Sequence, residues 1–263
     1  MMINKSESGA LNSESNKSIP VVLLHAFPLN SAMWESQKVF LETLARPVIV
    51  PDFPGFGDEP LPPGPIEMSG YAEFIIRLLE SSSVEKAVFI GLSMGGYVAL
   101  SLFGQRPDLF AGLMLANTRA GADSPEGRER RMKTIEFLQK HRDLGPLIQF
   151  HLENFFTDQT RQENPKLVAR IREMMQSAGI AGVIAALRAM AGRPDSHSLL
   201  SKMDFPVTVL AGADDPLTTV GDAEKMMHFL PQGALSIFQT AHLSNLEDAD
   251  GFNRTIEKLL SKI

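Results

Sequence analysis

The sequence predicts an α/β fold in which a mostly parallel sheet of six or more strands carries helices on both faces. Short apolar runs that end in turns recur along the chain, as in strands buried on both faces of a parallel sheet. Segments with apolar residues at helical spacing lie between these runs. The alternation of the two patterns is typical of parallel strands that are joined by helical crossovers.

Length and composition fit one such domain. The chain has 263 residues, of which 44% are hydrophobic and 21% charged, as is ordinary for a globular protein. The net charge of -6 argues against nucleic acid or an anionic membrane as the main partner. No window of about 20 apolar residues occurs, so we expect no membrane span. Nothing in the sequence indicates an oligomeric state.

The chain contains no cysteine, which excludes disulfides, thiolate nucleophiles and cysteine-ligated zinc. A cytoplasmic location fits this composition and is the expected one. Residues 1–18 are polar and rich in Ser and Asn, without the apolar core of a secretory signal. We expect them to form a flexible tail.

Six apolar runs are the predicted strands. They are residues 20–25, 47–51, 87–91, 112–116, 207–211 and, with a weaker pattern, 234–238. Apolar residues from Phe252 to Ile263 repeat at helical spacing and predict a C-terminal helix. The predicted α/β core therefore comprises residues 19–117 and 204–263.

Residues 118–203 interrupt the alternation because they contain no convincing strand. Helix-period segments lie around 126–141, 144–156, 165–177 and 180–191. Residues 123–126, DSPE, are typical of a helix start, and residues 192–194, GRP, of a helix end. We expect a helical cap, inserted before the strand at 207–211 and lying over one end of the sheet.

The strongest chemical signal is residues 91–95, GLSMG, between a buried strand and an apolar helix. This context is typical of a nucleophile elbow, in which small residues permit a tight strand-to-helix turn that exposes Ser93. The positive end of the following helix would face developing negative charge. A glycine-rich turn without chemistry is the alternative, and the flanking strand and helix favour the nucleophile.

A serine nucleophile needs a base, and the base needs an acid that orients it. In proteins with such an elbow, the serine is followed along the chain first by the acid and then by the histidine. Asp214 and Asp215 come directly after the strand at 207–211, and His242 follows the strand at 234–238. His242 is the predicted base because its position fits this order. The histidines that fit less well are His141, His151 and His197 in the predicted cap and His228 in a helix.

Residues 25–28, HAFP, follow the first strand. A loop there can direct a backbone N–H at a substrate carbonyl, together with the N–H that follows the nucleophile. We assign these two oxyanion donors to Phe27 and Met94. His25 is interpreted as a residue that braces the loop by bonding backbone groups.

Five segments together resemble consecutive landmarks of the α/β-hydrolase superfamily: VVLLHAFPLNSAMW, PDFPGFG, GLSMGGYVAL, LAGADDPLT and TAHLSNLED. The resemblance is closest to small carboxylesterases and 3-oxoadipate enol-lactonase-like hydrolases. It implies the α/β-hydrolase fold, a catalytic triad, no metal and no organic cofactor. In the family pattern the acid stands three residues after the glycine that ends the strand, which implies Asp215 rather than Asp214.

The sequence departs from the family pattern in three ways. Ala26 stands where the family usually has glycine, and Asp58 and Glu59 stand where it usually has serine. The two usual N-terminal strands are not recognisable before Ile19. Serine at position 93 argues against dehalogenases and epoxide hydrolases of this fold, which resemble the chain but use aspartate there.

The resulting hypothesis is a serine hydrolase that cleaves a small-molecule carboxylic ester or lactone through an acyl-enzyme. One alternative is a non-hydrolytic ligand receptor or signalling partner on the same fold, because fold alone does not fix function. The other is a cofactor-free perhydrolase of the haloperoxidase type, which Pro28 in the oxyanion loop permits. Ester turnover separates the first two hypotheses, and peracid release in the presence of peroxide tests the third.

Arg188 is the only charge in the apolar segment 180–191, IAGVIAALRAMA, and it lies at the edge of the apolar stripe. In one interpretation it covers apolar surface and keeps its guanidinium in water. In the other it pairs with a substrate carboxylate under the cap, as an enol-lactone or the half-ester of a diacid would require.

Overall fold

A six-stranded parallel sheet forms the centre of the molecule, of which the computed structural model describes residues 19–230 and 232–263. Its strands are β1 (Val21–Leu24), β2 (Val48–Ile49), β3 (Ala87–Leu92), β4 (Phe110–Ala116), β5 (Val207–Gly212) and β6 (Ala234–Phe238). The order is β2-β1-β3-β4-β5-β6, and all neighbours are parallel. The predicted α/β sheet is confirmed. The predicted tail, residues 1–18, lies outside the described residues.

Two apolar layers cover the sheet because successive strand residues point to opposite faces. Val22 and Leu24 of β1 pack in one layer, whereas Val21 and Leu23 pack in the other. The first layer includes α2 (Met68–Ser81), α3 (Met94–Gln105) and α10 (Val220–Met227). The second includes α1 (Glu35–Thr43) and α12 (Ala249–Leu260). Helices thus lie on both faces, as the continuous apolar strands require.

Between β4 and β5 the described structure is helical, as predicted. The helices are α4 (Pro125–His141), α5 (Gly145–Phe155), α6 (Asp158–Glu163), α7 (Pro165–Ser177), α8 (Ile180–Gly192) and α9 (His197–Leu200), and α11 (Ser244–Glu247) follows β6. The helix start predicted at residues 123–126 is confirmed, since the Ser124 hydroxyl accepts the Gly127 N–H at 3.1 Å. We call residues 118–203 the cap segment; that they form a separate cap remains a prediction.

A buried ion cluster joins the cap segment to α3. The carboxylate of Asp123 accepts from Arg193 Nη1 at 2.8 Å and from Arg131 Nε at 2.6 Å. Burial opposes ionisation of Asp123, but the two guanidinium groups outweigh it and lower the pKa of this carboxyl group. The Arg193 guanidinium also lies 4.0 Å from the ring centre of Tyr97 on α3. Both ends of the cap segment's helical region therefore meet at one buried carboxylate.

Within the described ranges, no helix by itself has the length and apolar character needed to cross a membrane. The pair α7 and α8 meets these criteria only when joined, and a bend of 93° separates the two helices.

Candidate active site

Ser93 occupies a sharp turn between β3 and α3. Its backbone has φ 55° and ψ -113°, a conformation that costs a non-glycine residue about 1–3 kcal/mol. Two hydrogen bonds hold the turn: the Ser93 N–H donates to the Ala116 carbonyl at 3.0 Å, and the Thr118 hydroxyl donates to the Ser93 carbonyl at 2.8 Å. The last residue of β4 and the loop that follows this strand thus fix the N–H and the carbonyl group of Ser93.

The glycines around Ser93 are needed for close packing. A Cβ atom on Gly91 would lie 2.5 Å from the Gly95 carbonyl oxygen, and one on Gly95 would collide with the Leu24 carbonyl oxygen. Backbone therefore packs directly on backbone where β3, α3 and β1 meet. This packing explains why the sequence has glycine on both sides of the predicted nucleophile.

Asp215 and His242 are hydrogen-bonded to each other. Asp215 stands three residues beyond the end of β5, and His242 stands four beyond the end of β6. His242 Nδ1 and Asp215 Oδ2 are 2.8 Å apart, and both side chains are buried. Asp214 is solvent-exposed. The structure therefore pairs the predicted histidine with the second of the two adjacent carboxylates.

The Asp215 carboxylate is held as an anion by five hydrogen bonds. Its donors are the N–H groups of Leu217 and Thr218, the Thr218 hydroxyl, Asn117 Nδ2 and His242 Nδ1. Burial by itself would raise the pKa of Asp215, but the adjacent His242 and these donors outweigh it and lower the pKa to about 2. The Asp215 carboxylate is therefore ionised near neutral pH and accepts from His242.

Asn117 and Thr218 were not identified from the sequence. Asn117 follows β4 directly, and its Nδ2 also donates to the Ala241 carbonyl at 3.2 Å, beside His242. Its backbone is left-handed, with φ 44°, which asparagine tolerates better than most residues. An asparagine at the end of a strand in the same sheet is the signal that could have indicated it.

Ser93 forms no hydrogen bond with His242 among the described residues. His242 Nε2 has no hydrogen-bond partner among the described residues either. It is also absent from the fully buried polar atoms without a hydrogen-bond partner, so this nitrogen is accessible. Such contacts often form fully only when substrate is bound. The structure thus brings Asp215 and His242 together and leaves the second imidazole nitrogen available.

The two predicted oxyanion donors are unused in the described part of the chain. The N–H groups of Phe27 and Met94 donate to no protein acceptor there. Met94 begins α3, where the first N–H groups have no partner inside the helix. Both N–H groups are therefore available to a ligand oxygen.

His25 braces the loop, as interpreted from the sequence. Its Nε2 accepts from the Phe53 N–H at 2.9 Å, and its Nδ1 lies 3.0 Å from the Ala26 carbonyl, to which it donates. Burial lowers the pKa of His25 to about 4, so the imidazole is neutral and both of its nitrogens are engaged.

Two aromatic residues of α5 lie next to His242. The Phe155 ring stacks on the imidazole of His242, with 5.6 Å between ring centres and 15° between planes. His151 contacts Phe155 at 5.0 Å and Phe27 at 5.6 Å between ring centres. From the sequence, His151 fits the role of the base less well because it lies in the predicted cap. In the structure it lies beside the candidate site. Helix periodicity gave no signal for this contact.

Glu247 links the end of α5 to the loop of His242. Its Oε1 accepts from the N–H and hydroxyl of Thr157 at 2.8 and 2.9 Å, and its Oε2 accepts from the Ala241 N–H at 2.6 Å. The Leu243 N–H donates to the Phe155 carbonyl at 3.1 Å. Four hydrogen bonds thus fasten α5 to the residues on either side of His242.

Arg188 is solvent-exposed on α8, which supports the interpretation that its guanidinium stays in water rather than the one that pairs it with a substrate carboxylate. Within residues 19–230 and 232–263, no group of three or more His, Asp or Glu side chains has an arrangement that could hold a metal ion.

Comparisons with known proteins show the family and the fold of this chain. The family model described as "alpha/beta hydrolase fold" matches residues 19–249. A 3-oxoadipate enol-lactonase of Acinetobacter baylyi is 26% identical over 242 residues, which are 92% of this chain and 88% of that protein.

Two solved structures are similar over almost the whole chain. A thermophilic esterase from Thermogutta terrifontis, with malate bound, is 34% identical, has a TM-score of 0.89, and aligns with 94% of this chain and 90% of its own. An enol-lactonase from Burkholderia xenovorans has a TM-score of 0.86 at 23% identity, over 93% and 92% of the two chains, and supports the fold alone. Because the family model covers most of its length, this chain belongs to the α/β-hydrolase fold family.

Proposed function

We propose that this protein is a serine hydrolase that cleaves a small-molecule carboxylic ester or lactone. Ser93 Oγ attacks the carbonyl carbon while His242 Nε2 takes the hydroxyl proton. The tetrahedral intermediate collapses to an acyl-enzyme, and the protonated His242 gives its proton to the departing alkoxide. A water molecule, deprotonated by His242, then attacks the acyl-enzyme and releases the acid and Ser93.

The hydrogen bond between His242 and Asp215 carries this proposal. An ionised carboxylate only accepts, so Nδ1 of His242 bears the proton and Nε2 has the free lone pair that a general base needs. The donors around Asp215 fix its orientation, and Asp215 in turn fixes that of the imidazole. This is the arrangement that a serine nucleophile requires.

The unused N–H groups of Phe27 and Met94 supply the oxyanion hole in this mechanism. Negative charge develops on the substrate carbonyl oxygen only as Ser93 attacks, so donors held by the backbone stabilise the transition state more than the substrate. Phe27 follows β1 and Met94 follows the nucleophile, which is the usual origin of these donors in this fold.

Relatives support the ester or lactone class of substrate. The curated relative described above is named an enol-lactonase, and the solved structure with 34% identity is named an esterase. Ring opening of a lactone and hydrolysis of an ester use the same steps. We propose that the cap segment covers the substrate beside these groups.

The test is hydrolysis of p-nitrophenyl acetate and butyrate by wild type, Ser93→Ala and Ser101→Ala. Loss of the nucleophile lowers kcat by about 10⁴–10⁶-fold, whereas Ser101→Ala, on helix α3 that follows Ser93, is the matched control and keeps activity. A fluorophosphonate probe labels wild type and not Ser93→Ala. A folded Ser93→Ala variant that keeps more than about one percent of activity contradicts the serine mechanism. No turnover of any ester or lactone by wild type favours the ligand receptor.

A further inference from the structure

His151 lies between the candidate oxyanion loop and the ring that covers His242. Its imidazole contacts Phe27 on one side and Phe155 on the other, and Phe155 stacks on His242. One aromatic ring therefore separates the two histidines. The proposed function gives His151 no role. Because this polar ring lies among aromatic rings, we ask which hydrogen bonds its two nitrogens form.

A backbone contact fixes which nitrogen of His151 carries the proton. Nδ1 lies 2.8 Å from the Leu147 carbonyl oxygen, one helical turn earlier in α5. A carbonyl oxygen only accepts, so Nδ1 is the donor, and Nε2 of the neutral ring holds a lone pair. Nε2 of His151 has no hydrogen-bond partner in the described part of the chain. It does not belong to the fully buried polar atoms without a hydrogen-bond partner. It is an accessible and unused acceptor.

The environment keeps this ring neutral. Burial is the main cause that lowers the pKa of His151 to about 4; the Leu147 carbonyl opposes it, and the nearby His242 and Arg131 add to it. Above pH 5 the ring therefore offers an acceptor and not a second donor. A substrate carboxylate next to Nε2 would meet a lone pair and gain no hydrogen bond, whereas a hydroxyl or an N–H would.

We infer that His151 determines specificity by accepting a hydrogen bond from a hydroxyl or N–H group of the substrate. The preferred substrates are then esters or lactones with such a donor near the scissile bond. This inference rests on the proposed function and names the substrate class of the same site. A neutral hydrogen bond of ordinary strength corresponds to a preference of about 3- to 10-fold in kcat/KM.

The test compares matched esters in wild type, His151→Phe and His151→Gln. Ethyl butyrate is the apolar reference, ethyl 3-hydroxybutyrate adds a donor on the acyl side, and 2-hydroxyethyl butyrate adds one on the alcohol side. Phenylalanine keeps an aromatic ring against Phe27 and Phe155 but removes the acceptor. Glutamine retains an acceptor and should restore part of the preference. His141→Phe changes an exposed histidine of the same segment, which stacks on Phe137, and is the matched control.

We expect wild type and His141→Phe to prefer one hydroxy ester over ethyl butyrate. His151→Phe should lose that preference, because its kcat/KM for the hydroxy ester falls by about 3- to 10-fold more than its kcat/KM for ethyl butyrate. The inference is overturned if the ratio of kcat/KM for each hydroxy ester to that for ethyl butyrate is the same in His151→Phe as in wild type. Equal losses of kcat/KM on all three esters are one such result. Both leave the proposed function intact. If His151→Phe does not fold, His151→Leu, which also lacks the acceptor, decides, and unchanged kcat/KM ratios there overturn the inference. Absence of turnover by wild type overturns both proposals.

Discussion

The carboxyl edge of the sheet and the cap segment hold their polar side chains in different ways. At the sheet edge, Ser93, Asp215 and His242 each follow a strand within four residues, and backbone hydrogen bonds or buried donors fix their loops. In the cap segment, His151 lies in the middle of a helix, where it contacts the aromatic rings of Phe150 and Phe155 of the same helix and of Phe27 after β1. Substitutions at the edge should therefore change chemistry and leave packing intact, whereas those beside the cap segment should change both.

Asp215→Asn gives the largest expected effect and tests the sheet edge. The amide retains the shape of the carboxylate but does not stabilise the imidazolium, and it favours the wrong tautomer of His242. We expect kcat for p-nitrophenyl butyrate to fall by about 10³–10⁴-fold. The exposed neighbour supplies the control, since Asp214→Asn should retain activity. The opposite ranking of the two variants would transfer the role to Asp214.

Acid destabilisation compares the two regions directly, because each contains a histidine whose pKa is lowered by burial. Burial lowers the pKa of His25 at the sheet edge and of His151 in the cap segment to about 4, whereas an unfolded histidine titrates near 6.5. The unfolded state therefore binds these protons first. Their stabilising contribution is complete above about pH 6.5 and is lost as the pH falls to about 4.

The measurement is the free energy of unfolding in urea between pH 6.5 and 4.5. Each histidine contributes a slope of up to about 1.4 kcal/mol per pH unit. His151→Phe should lose the part of the slope that titration of His151 contributes, up to about 1.4 kcal/mol per pH unit, and His228→Gln, an exposed site, should leave the slope unchanged. If His151→Phe keeps the full slope, His151 is not buried and neutral in the folded protein.

Phe155→Leu tests the boundary between the two regions and has the smallest expected effect. An aromatic stack contributes about 0.5–1.5 kcal/mol beyond its buried area, so loss of the ring over His242 should lower kcat by about 2- to 10-fold. Phe252 is equally buried and packs on Trp34. Phe252→Leu should therefore cost similar stability with no change in kcat. Equal kcat in the two variants would mean that the stack does not support the base.

The sheet edge could be predicted from the sequence because its signals are local. A strand, two glycines and a serine define the elbow at Ser93, and a strand followed by a histidine indicates His242. The choice of Asp215 over Asp214 needed the family pattern, since both carboxylates follow the same strand. Asn117 was missed because its hydrogen bond to Asp215 depends on how β4 and β5 pair. Thr218 was missed because its bonds to Asp215, three residues earlier, depend on the conformation of the loop after β5.

The cap segment could be predicted only as helices. Its periodicity gave the extent of α4, α5, α7 and α8 within a few residues, but periodicity does not tell which face meets another element. Arg188, a lone charge in an apolar helix, was a candidate partner for a substrate carboxylate, but its side chain is exposed. His151 was passed over, although the path of the chain brings it to Phe27, more than 100 residues earlier.

The bonds of Glu247 make α5 and the loop of His242 one mechanical unit. Its carboxylate bridges Thr157 and Ala241, and Leu243 bonds the Phe155 carbonyl. Movement of α5 would therefore carry the loop of His242 with it, because Ala241 and Leu243 on either side of the imidazole are tied to the end of this helix. The Phe155 ring and the imidazole that it covers would then keep their relative position, since the same four hydrogen bonds set the place of both.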